Sequence, residues 1–299
     1  MYKEIAANKR KTFFLFVIFV TLVLAVGWAL WQFYRQEWIL ILALVIAIIQ
    51  PIIAYYYSDQ IVLAISGARG PIKREDDREL YNLVENLCIT TGLPMPKIYL
   101  IPSMAANAFA TGRDPEHASI AVTAGLRQKL SRTELEGVLA HELAHIGNRD
   151  ILLMTVVVVL VGFLSVVADF FLRSLWWGSR DRRNGGGWLA IVGLVLIVLS
   201  PIIATLIQLA ISRRREFLAD ATAALTTRYP EGLARALEKI AKDRTPLESA
   251  SNATAHLFIE NPFKADTRSK RRVSWLATLF STHPPVEERI KRLRQMIPR

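Results

Sequence analysis

Residues 141–150 read HELAHIGNRD, and residues 151–172 follow directly as ILLMTVVVVLVGFLSVVADFFL. The first stretch combines two histidines and a glutamate, whereas the second carries a single charge, Asp169. An apolar stretch of about 20 residues is long enough to cross the hydrocarbon core of a bilayer as a helix. The order of the two stretches therefore predicts polar chemistry placed directly against a membrane.

Apolar runs of this length occur four times in the 299-residue chain, of which 52% is hydrophobic. They cover residues 12–34, 38–57, 151–172 and 188–211, and none contains Lys or Arg. A buried helix of a soluble protein would explain one such run, but four together favour transmembrane helices. The first run is longer than the apolar core of a signal peptide, and no small-residue cleavage site follows it. We therefore expect it to be a permanent anchor.

The spans divide the chain into two membrane hairpins and two soluble segments, namely residues 1–57, 58–150, 151–211 and 212–299. The tail before residue 12 is basic, whereas the turn after the first span carries only Arg35. By the positive-inside rule, both soluble segments are then cytoplasmic. Most tryptophans would lie at the opposite interface, namely Trp28, Trp31, Trp38, Trp176, Trp177 and Trp188. The arginines between residues 173 and 187 oppose this orientation, so an in-plane or re-entrant second hairpin stays open.

The cysteine and charge content limit the partners. The single cysteine, Cys88, permits no internal disulfide, which suits a reducing compartment. The net charge of +11 predicts an acidic partner. RRR at 213–215 follows the last apolar run, and RSKRR lies at 268–272, so anionic lipid headgroups explain the charge best. We find no nucleic-acid-binding module and exclude nucleic acid as a partner; the sequence leaves the oligomeric state undetermined.

The spacing within SRTELEGVLAHELAHIGNRD predicts one helix that begins with a Ser-x-x-Glu capping box. His141 and His145 lie one turn apart on the same face and can hold one Zn²⁺ ion. Glu142 stands beside the first histidine, where it can activate water without binding the metal. This is the arrangement of HExxH peptidases. Two surface histidines on a charged helix are the alternative.

A catalytic zinc site needs a third protein ligand and one open position. No G-x-x-H follows His145, so the ligand must come from elsewhere in the chain. After the last apolar run, ISRRREFLADATAALTTR predicts a helix with Glu216 and Asp220 on one face and small residues beside them. Glu216 could bind zinc while Asp220 accepts a hydrogen bond from a ligand imidazole. On spacing alone, solvated surface carboxylates remain the alternative.

Together, HELAHIGNRD, the apolar hairpin and RRREFLAD resemble the HtpX-type membrane zinc metallopeptidases, relatives of the CAAX prenyl endopeptidase. Four further stretches extend the similarity over most of the chain, namely DQIVLAISGAR (59–69), GLPMPKIYLIP (92–102), ANAFATGRDPEHASIAVTAGL (106–126) and STHPPVEERI (281–290). The resemblance implies one Zn²⁺ per chain, bound by His141, His145 and Glu216, with Glu142 as the catalytic acid/base. It also implies a bacterial inner-membrane endopeptidase whose active site faces the cytoplasm and which degrades misfolded or unfolded membrane proteins in quality control.

We therefore expect an α+β, mostly helical fold, with four transmembrane helices and a gluzincin-like cytoplasmic HExxH zinc metallopeptidase domain. KIYLIP and ASIAVT predict strands, and EDDRELYNLVENLCITTGL predicts a helix. NAFATG (107–112) predicts an exposed strand edge that could pair with a peptide substrate, which makes Asn107 and Phe109 candidate substrate-binding residues. An ordinary hairpin strand is the alternative. His283, followed by two prolines, is a candidate donor to the developing oxyanion, or else a structural residue that leads into a helix.

Two other functions compete with peptide hydrolysis. A catalytically inactive membrane scaffold or chaperone is opposed by the intact HExxH motif and by Glu216. A prenyl-protein peptidase resembling the CAAX relatives is opposed by the number of spans, because four helices are too few to enclose the large membrane chamber of those enzymes.

Overall fold

Helices make up most of the structure, and a small sheet lies among them. The computed structural model describes residues 2–178, 212–247, 254, 257–259 and 284–296. The helices within this part of the chain are α1 (Tyr2–Tyr34), α2 (Trp38–Tyr56), α3 (Ser58–Ile65), α4 (Arg78–Thr91), α5 (Ala124–Lys129), α6 (Arg132–Gly147), α7 (Asp150–Gly178), α8 (Arg213–Thr227), α9 (Pro230–Lys242) and α10 (Val286–Gln295). The strands are β1 (Lys97–Ile101), β2 (Ala108–Gly112) and β3 (Ala118–Thr123).

Among the described residues, three helices are long and apolar enough to cross a membrane. The candidate spans are Ala6–Gln32 in α1, Trp38–Tyr56 in α2 and Asp150–Asp169 in α7. They coincide with the first three apolar runs of the sequence. The fourth predicted span, residues 188–211, lies outside the described residues.

The three long helices pack around a shared apolar seam and leave apolar surface on their outer side. Phe19 on α1 contacts Phe163 on α7 edge-on, with 5.8 Å between the ring centroids. A Cβ atom at Gly27 would lie only 2.3 Å from the Cβ of Ala43, so small residues bring α1 and α2 together. Large side chains such as Phe13 and Ile41 are exposed. An exposed apolar surface of this kind suits contact with lipid.

The sheet has the strand order β1–β3–β2, with β1 parallel and β2 antiparallel to β3. The strands predicted from KIYLIP and ASIAVT and the helix predicted before them are therefore confirmed. Residues Ala108–Gly112 of NAFATG form β2, which is an edge strand within the described part of the sheet. All of its residues are buried, because α6 and α7 pack against it. The exposed edge expected from the sequence is therefore a covered one.

Helix α6 carries the HExxH motif through the middle of the soluble core. Its capping box is present as predicted, with the Ser131 N–H donating to Glu134 Oε2 at 2.7 Å. A Cβ atom at Gly137 would lie 2.8 Å from the backbone N of Leu233, so this glycine permits the close approach of α9. Every residue in 137–146 is buried. The two surface histidines considered as an alternative are therefore excluded.

The motif helix ends earlier than the sequence predicts. Helix α6 stops at Gly147, and α7 begins at Asp150 rather than continuing the same helix. Between them, Arg149 adopts a left-handed conformation with φ of 56°, which an α-helix cannot contain. This turn allows the Asp150 carboxylate to face back toward His145.

Candidate active site

Three potential metal ligands converge between α6 and α8. His141 and His145 bring their Nε2 atoms to 3.2 Å from each other. Glu216 lies 3.7 Å from His141 Nε2 through its Oε2 atom and 3.6 Å from His145 Nε2 through its Oε1 atom. All three residues are buried. The fold thus brings together the three residues that the sequence analysis singled out.

The spacing of these atoms suits a tetrahedral zinc ion. Ligand atoms about 2.0–2.2 Å from zinc at tetrahedral angles lie roughly 3.3–3.5 Å apart. The two imidazole nitrogens, 3.2 Å apart, are close to that range, and each has a different Glu216 oxygen within 3.7 Å. Two imidazoles and one carboxylate are also a known donor set of catalytic zinc sites. The residues present therefore fit one zinc ion.

Small residues on α8 allow it to approach the motif helix. Ala219 and Ala223 have no exposed surface, and they lie on the face that also carries Glu216 and Asp220. Residues four apart on a helix share a face, so both carboxylates point toward α6. The local sequence therefore explains how a separate part of the chain delivers a carboxylate to the two histidines.

Each histidine has a carboxylate at its other ring nitrogen. His145 Nδ1 lies 3.0 Å from Asp150 Oδ2. His141 Nδ1 lies 3.0 Å from Asp220 Oδ1, at an angle poorer than that of a good hydrogen bond. Such partners fix the ring orientation and leave Nε2 directed at the metal. The sequence analysis placed Asp220 beside a ligand imidazole but did not include Asp150, whose only signal was its place at the end of HELAHIGNRD.

Arg289 on α10 is a second residue that the sequence analysis missed. It is completely buried, and its Nε and Nη2 atoms donate to the Asp220 carboxylate at 2.9 and 2.7 Å. Its Nη1 donates to the backbone oxygen of Ile259 at 3.1 Å and lies 3.8 Å from Glu216 Oε2. Arginine is usually a surface residue, so nothing in STHPPVEERI distinguishes this one from its exposed neighbours.

Burial and neighbouring charges shift the pKa values in the site. Burial lowers the pKa of His141, which favours the neutral form that binds metals. Burial would also lower the pKa of His145, but the hydrogen bond to Asp150 and the charge of Glu216 raise it to about 9. Burial acts to raise the pKa of Asp220, and the charge and hydrogen bonds of Arg289 bring it down to about 2. A metal that binds His145 must therefore displace a proton.

Glu142 lies next to His141 on α6 and is not one of the three potential ligands. It is buried, and burial raises its pKa to about 7. Its carboxylate accepts a hydrogen bond from the backbone N–H of Ala110 on β2. It does not belong to the group of potential ligands found among the described residues. A carboxylate with a pKa near 7 can exchange a proton with water at neutral pH.

The candidate substrate-binding residues lie in the core next to the site. Phe109 has no exposed surface and contacts Phe258 edge-on at 5.2 Å between centroids, so its side chain is a packing residue. Asn107 is buried as well, and its backbone oxygen accepts from Thr123 N at 3.0 Å. His283, the candidate oxyanion donor, lies outside the described residues.

The chain is similar to a known peptidase family and to several named proteins. The model of peptidase family M48 matches residues 74–297. A protein named Protease HtpX homolog from Dictyoglomus turgidum is 46% identical over 296 residues, which cover 99% of this chain and 94% of that protein. One from Caldanaerobacter subterraneus is 46% identical over 303 residues, covering 99% and 98%. The solved structure of S. mikatae Ste24p is 20% identical with a TM-score of 0.49, covering 98% of this chain and 67% of that one.

Long apolar helices beside a buried His–His–Glu group define a membrane metallopeptidase, an enzyme that hydrolyses peptide bonds. Within that class, the chain belongs to peptidase family M48.

Proposed function

We propose that the protein is a zinc-dependent endopeptidase in which His141, His145 and Glu216 bind one Zn²⁺ ion. The observation that carries the proposal is the convergence of these three buried side chains at zinc-compatible separations, with Glu142 on the same helix. Asp220 and Asp150 orient the two imidazoles. The inactive-scaffold alternative gains no support, because a scaffold needs neither this ligand set nor a carboxyl group of raised pKa beside it.

The surrounding side chains suit hydrolysis of a peptide bond. A zinc ion bound by the three ligands would act as a Lewis acid that activates water and polarises the scissile carbonyl. Glu142 accepts a proton from the attacking water and delivers it to the leaving amine. The Ala110 N–H holds the Glu142 carboxylate in place. Arg289 keeps Asp220 ionised, so that Asp220 can hold His141 with Nε2 free for the metal.

We further propose that an extended peptide substrate pairs with the outer edge of β2 by displacing the Ile259 N–H from the Ala108 carbonyl, while the Ala110 N–H stays bonded to Glu142. The Ala110 N–H and the Ala108 carbonyl point away from β3, toward Glu142 and toward Ile259 N, which lies 3.1 Å from the Ala108 oxygen. Backbone pairing of this kind tolerates many side chains. Asn107 then acts by fixing the start of the strand and Phe109 by anchoring it in the core, rather than by touching the substrate. His283 stays a candidate donor to the oxyanion.

The membrane setting supports a role in removing misfolded or unfolded membrane proteins from the cytoplasmic side of a bacterial inner membrane. Helix α7 begins only five residues after His145, so substrate segments that leave the bilayer meet the site at once. The basic N-terminal tail favours the cytoplasmic orientation and contact with anionic headgroups. Two relatives bear the name Protease HtpX homolog. The same proposal includes a fourth membrane span at residues 188–211. It also includes the division of the chain into four segments, with boundaries at residues 57, 150 and 211.

The test is hydrolysis of casein by the full-length protein purified in detergent. Wild-type protein should cleave casein, a zinc chelator should stop cleavage, and added Zn²⁺ should restore it. Glu142→Gln should lose cleavage and keep its zinc, because Glu142 is not a ligand. Cleavage that survives the chelator, or loss of stoichiometric zinc in Glu142→Gln, would contradict the roles assigned here.

A further inference from the structure

A polar side chain of the first membrane helix reaches the carboxylate that holds a predicted zinc ligand. Asn8, on α1, is only 3% exposed, and its Nδ2 atom donates to Asp150 Oδ1 at 2.6 Å. The other carboxylate oxygen of Asp150 lies 3.0 Å from His145 Nδ1. Asn8, Asp150 and His145 therefore form a continuous chain of buried hydrogen bonds from α1 to the site.

The residue that precedes the third predicted ligand joins this chain. Arg215 is buried on α8, directly before Glu216. Its Nη1 atom lies 3.4 Å from Asn8 Oδ1, and its Nε atom lies 3.9 Å from Asp150 Oδ1. Asn8 therefore contacts both elements that frame the metal site, through its amide nitrogen on one side and its amide oxygen on the other.

The neighbouring buried polar residue on α1 does not make the two contacts that the Asn8 amide makes. A buried amide is costly unless it is hydrogen-bonded, and here both its polar atoms have partners near the site. Thr12, one turn later on α1, is similarly buried but donates only to the backbone oxygen of Asn8 at 3.0 Å. Simple packing of α1 explains Thr12, whereas it does not explain why Asn8 binds the carboxylate behind His145.

We propose that Asn8 is a positioning residue for the metal site, acting through Asp150 on His145. The proposal rests on the zinc ligands proposed above. With the Asn8 hydrogen bond in place, Asp150 has one direction in which to hold the imidazole, and the Nε2 atom of His145 stays aimed at the metal. The first membrane helix is then part of the zinc site as well as an anchor, so metal retention depends on the seating of α1 in the bundle.

The experiment compares Asn8→Leu, of similar shape, with the matched control Thr12→Val, using full-length protein loaded with Zn²⁺ in detergent. The readouts are the rate of zinc transfer to a chromogenic chelator and the visible spectrum of Co²⁺-substituted protein, which depends on ligand geometry. Direct partners of metal-bound histidines typically contribute about 10–100-fold to affinity, so this more remote residue should contribute about three- to tenfold. Asn8→Leu should release zinc faster by that factor and alter the Co²⁺ spectrum, whereas Thr12→Val should match wild type in both.

The failure of this proposal and the failure of the metal site give different results. Wild-type release and spectrum in Asn8→Leu, combined with loss of zinc in His145→Ala, would overturn the role of Asn8 alone. Retention of zinc in His145→Ala would overturn the metal site and this proposal with it. Should Asn8→Leu not fold, the double variant Asn8→Asp with Asp150→Asn replaces it, because the exchanged side chains can still form a hydrogen bond. The double variant should release zinc more slowly than Asp150→Asn alone, and equal or faster release would overturn the proposal.

Discussion

Arg289 donates two hydrogen bonds to Asp220, at 2.9 Å from Nε and 2.7 Å from Nη2, and both side chains are buried. The pair joins α10 to α8 directly behind His141. A two-pronged contact of this kind fixes the plane of the carboxylate as well as its position. The chain segment that follows residue 283 therefore supports the site even though it contributes none of the three predicted ligands.

This pair predicts that Asp220 and Arg289 support the metal without binding it. Asp220→Ala should lower zinc affinity and casein cleavage by about 10–100-fold, as for other partners of metal-bound histidines. Arg289→Lys should also lower both, because a lysine cannot make the two-pronged contact. Chelator competition and cleavage assays measure the two effects. Arg294→Lys is the control, because Arg294 pairs with Glu231 at the surface. Unchanged zinc affinity in both Asp220→Ala and Arg289→Lys would contradict the assignment.

The raised pKa of His145 predicts that zinc binding releases a proton at neutral pH. The pKa of about 9 means that His145 is protonated near pH 7 in the metal-free protein, so zinc affinity should rise with pH up to about 9. Calorimetry at pH 7 in buffers of different ionisation enthalpy should give about one proton per zinc. Release should be smaller above pH 9, and equal release at both pH values would contradict the prediction.

The raised pKa of His145 also stabilises the folded, metal-free protein, and this stabilisation depends on pH. The folded-state pKa of His145 is raised above its ordinary value of 6.5. The resulting stabilisation is fully present below about pH 6.5 and is lost as the pH rises through about 9. Zinc binding should remove this pH dependence, because the bound imidazole is neutral throughout.

Local sequence patterns predicted the site residues whose relative positions depend on a single helix. The spacing of His141, Glu142 and His145 and the capping box of α6 needed only the helical period, and the spacing of Glu216 and Asp220 needed only the period of α8. The resemblance to a known family was what selected Glu216 over other carboxylates. The sequence alone does not give the distance between α6 and α8.

Long-range contacts account for what the sequence analysis missed or placed wrongly. Asp150 was read as the end of the motif helix, because an arginine at position 149 gives no warning of a left-handed turn. Asn8 and Arg289 lie at opposite ends of the chain, and only folding brings them to the site. The sequence predicts an exposed strand edge at residues 107–112, because a single strand pattern does not reveal that α7 packs against it and that Phe258 contacts Phe109.

The orientation in the membrane predicts a pattern of cysteine labelling. Cys88 is buried and burial raises the pKa of its thiol to about 11, so it should give little background. A cysteine at Gln36 should be labelled from outside the cell, and one at Glu75 only after the membrane is made permeable. A cysteine at Arg180, beyond the described residues, should behave like the one at Gln36. Labelling from the inside at Arg180 would instead favour a re-entrant second hairpin.

Asp243 predicts an acid-sensitive contribution to stability at a distance from the metal site. Its carboxylate accepts hydrogen bonds from Lys129 Nζ and from Ala106 N, both at 2.7 Å. Burial acts to raise its pKa, but the Lys129 hydrogen bond holds the pKa well below the usual range. Asp243→Asn should cost about 1–3 kcal/mol at pH 7. Because the pKa is depressed on folding, the wild-type advantage is present above about pH 4 and is lost as the pH falls below that value.

Thermal unfolding in detergent at pH 7 and at pH 3 tests this prediction. The difference in melting temperature between wild type and Asp243→Asn should shrink at pH 3. Asp76→Asn, at an exposed carboxylate that accepts from Lys73 N at 2.7 Å, serves as the control and should change stability little at either pH. A difference that persists at pH 3 would mean that the charge of Asp243 is not its cause.

Zinc content of Glu216→Ala is the most direct test of the central claim, because Glu216 is the proposed ligand that a separate helix supplies. The measurement is zinc per chain by atomic absorption, on protein in detergent after dialysis against a weak chelator. Wild type should keep about one zinc, and Glu216→Ala should lose zinc and casein cleavage together, since two histidines alone hold the metal poorly. Glu231→Ala and Glu238→Ala, at surface carboxylates that pair with Arg294, should keep their zinc. Full zinc in Glu216→Ala, with loss in another carboxylate variant, would contradict the ligand set on which this account rests.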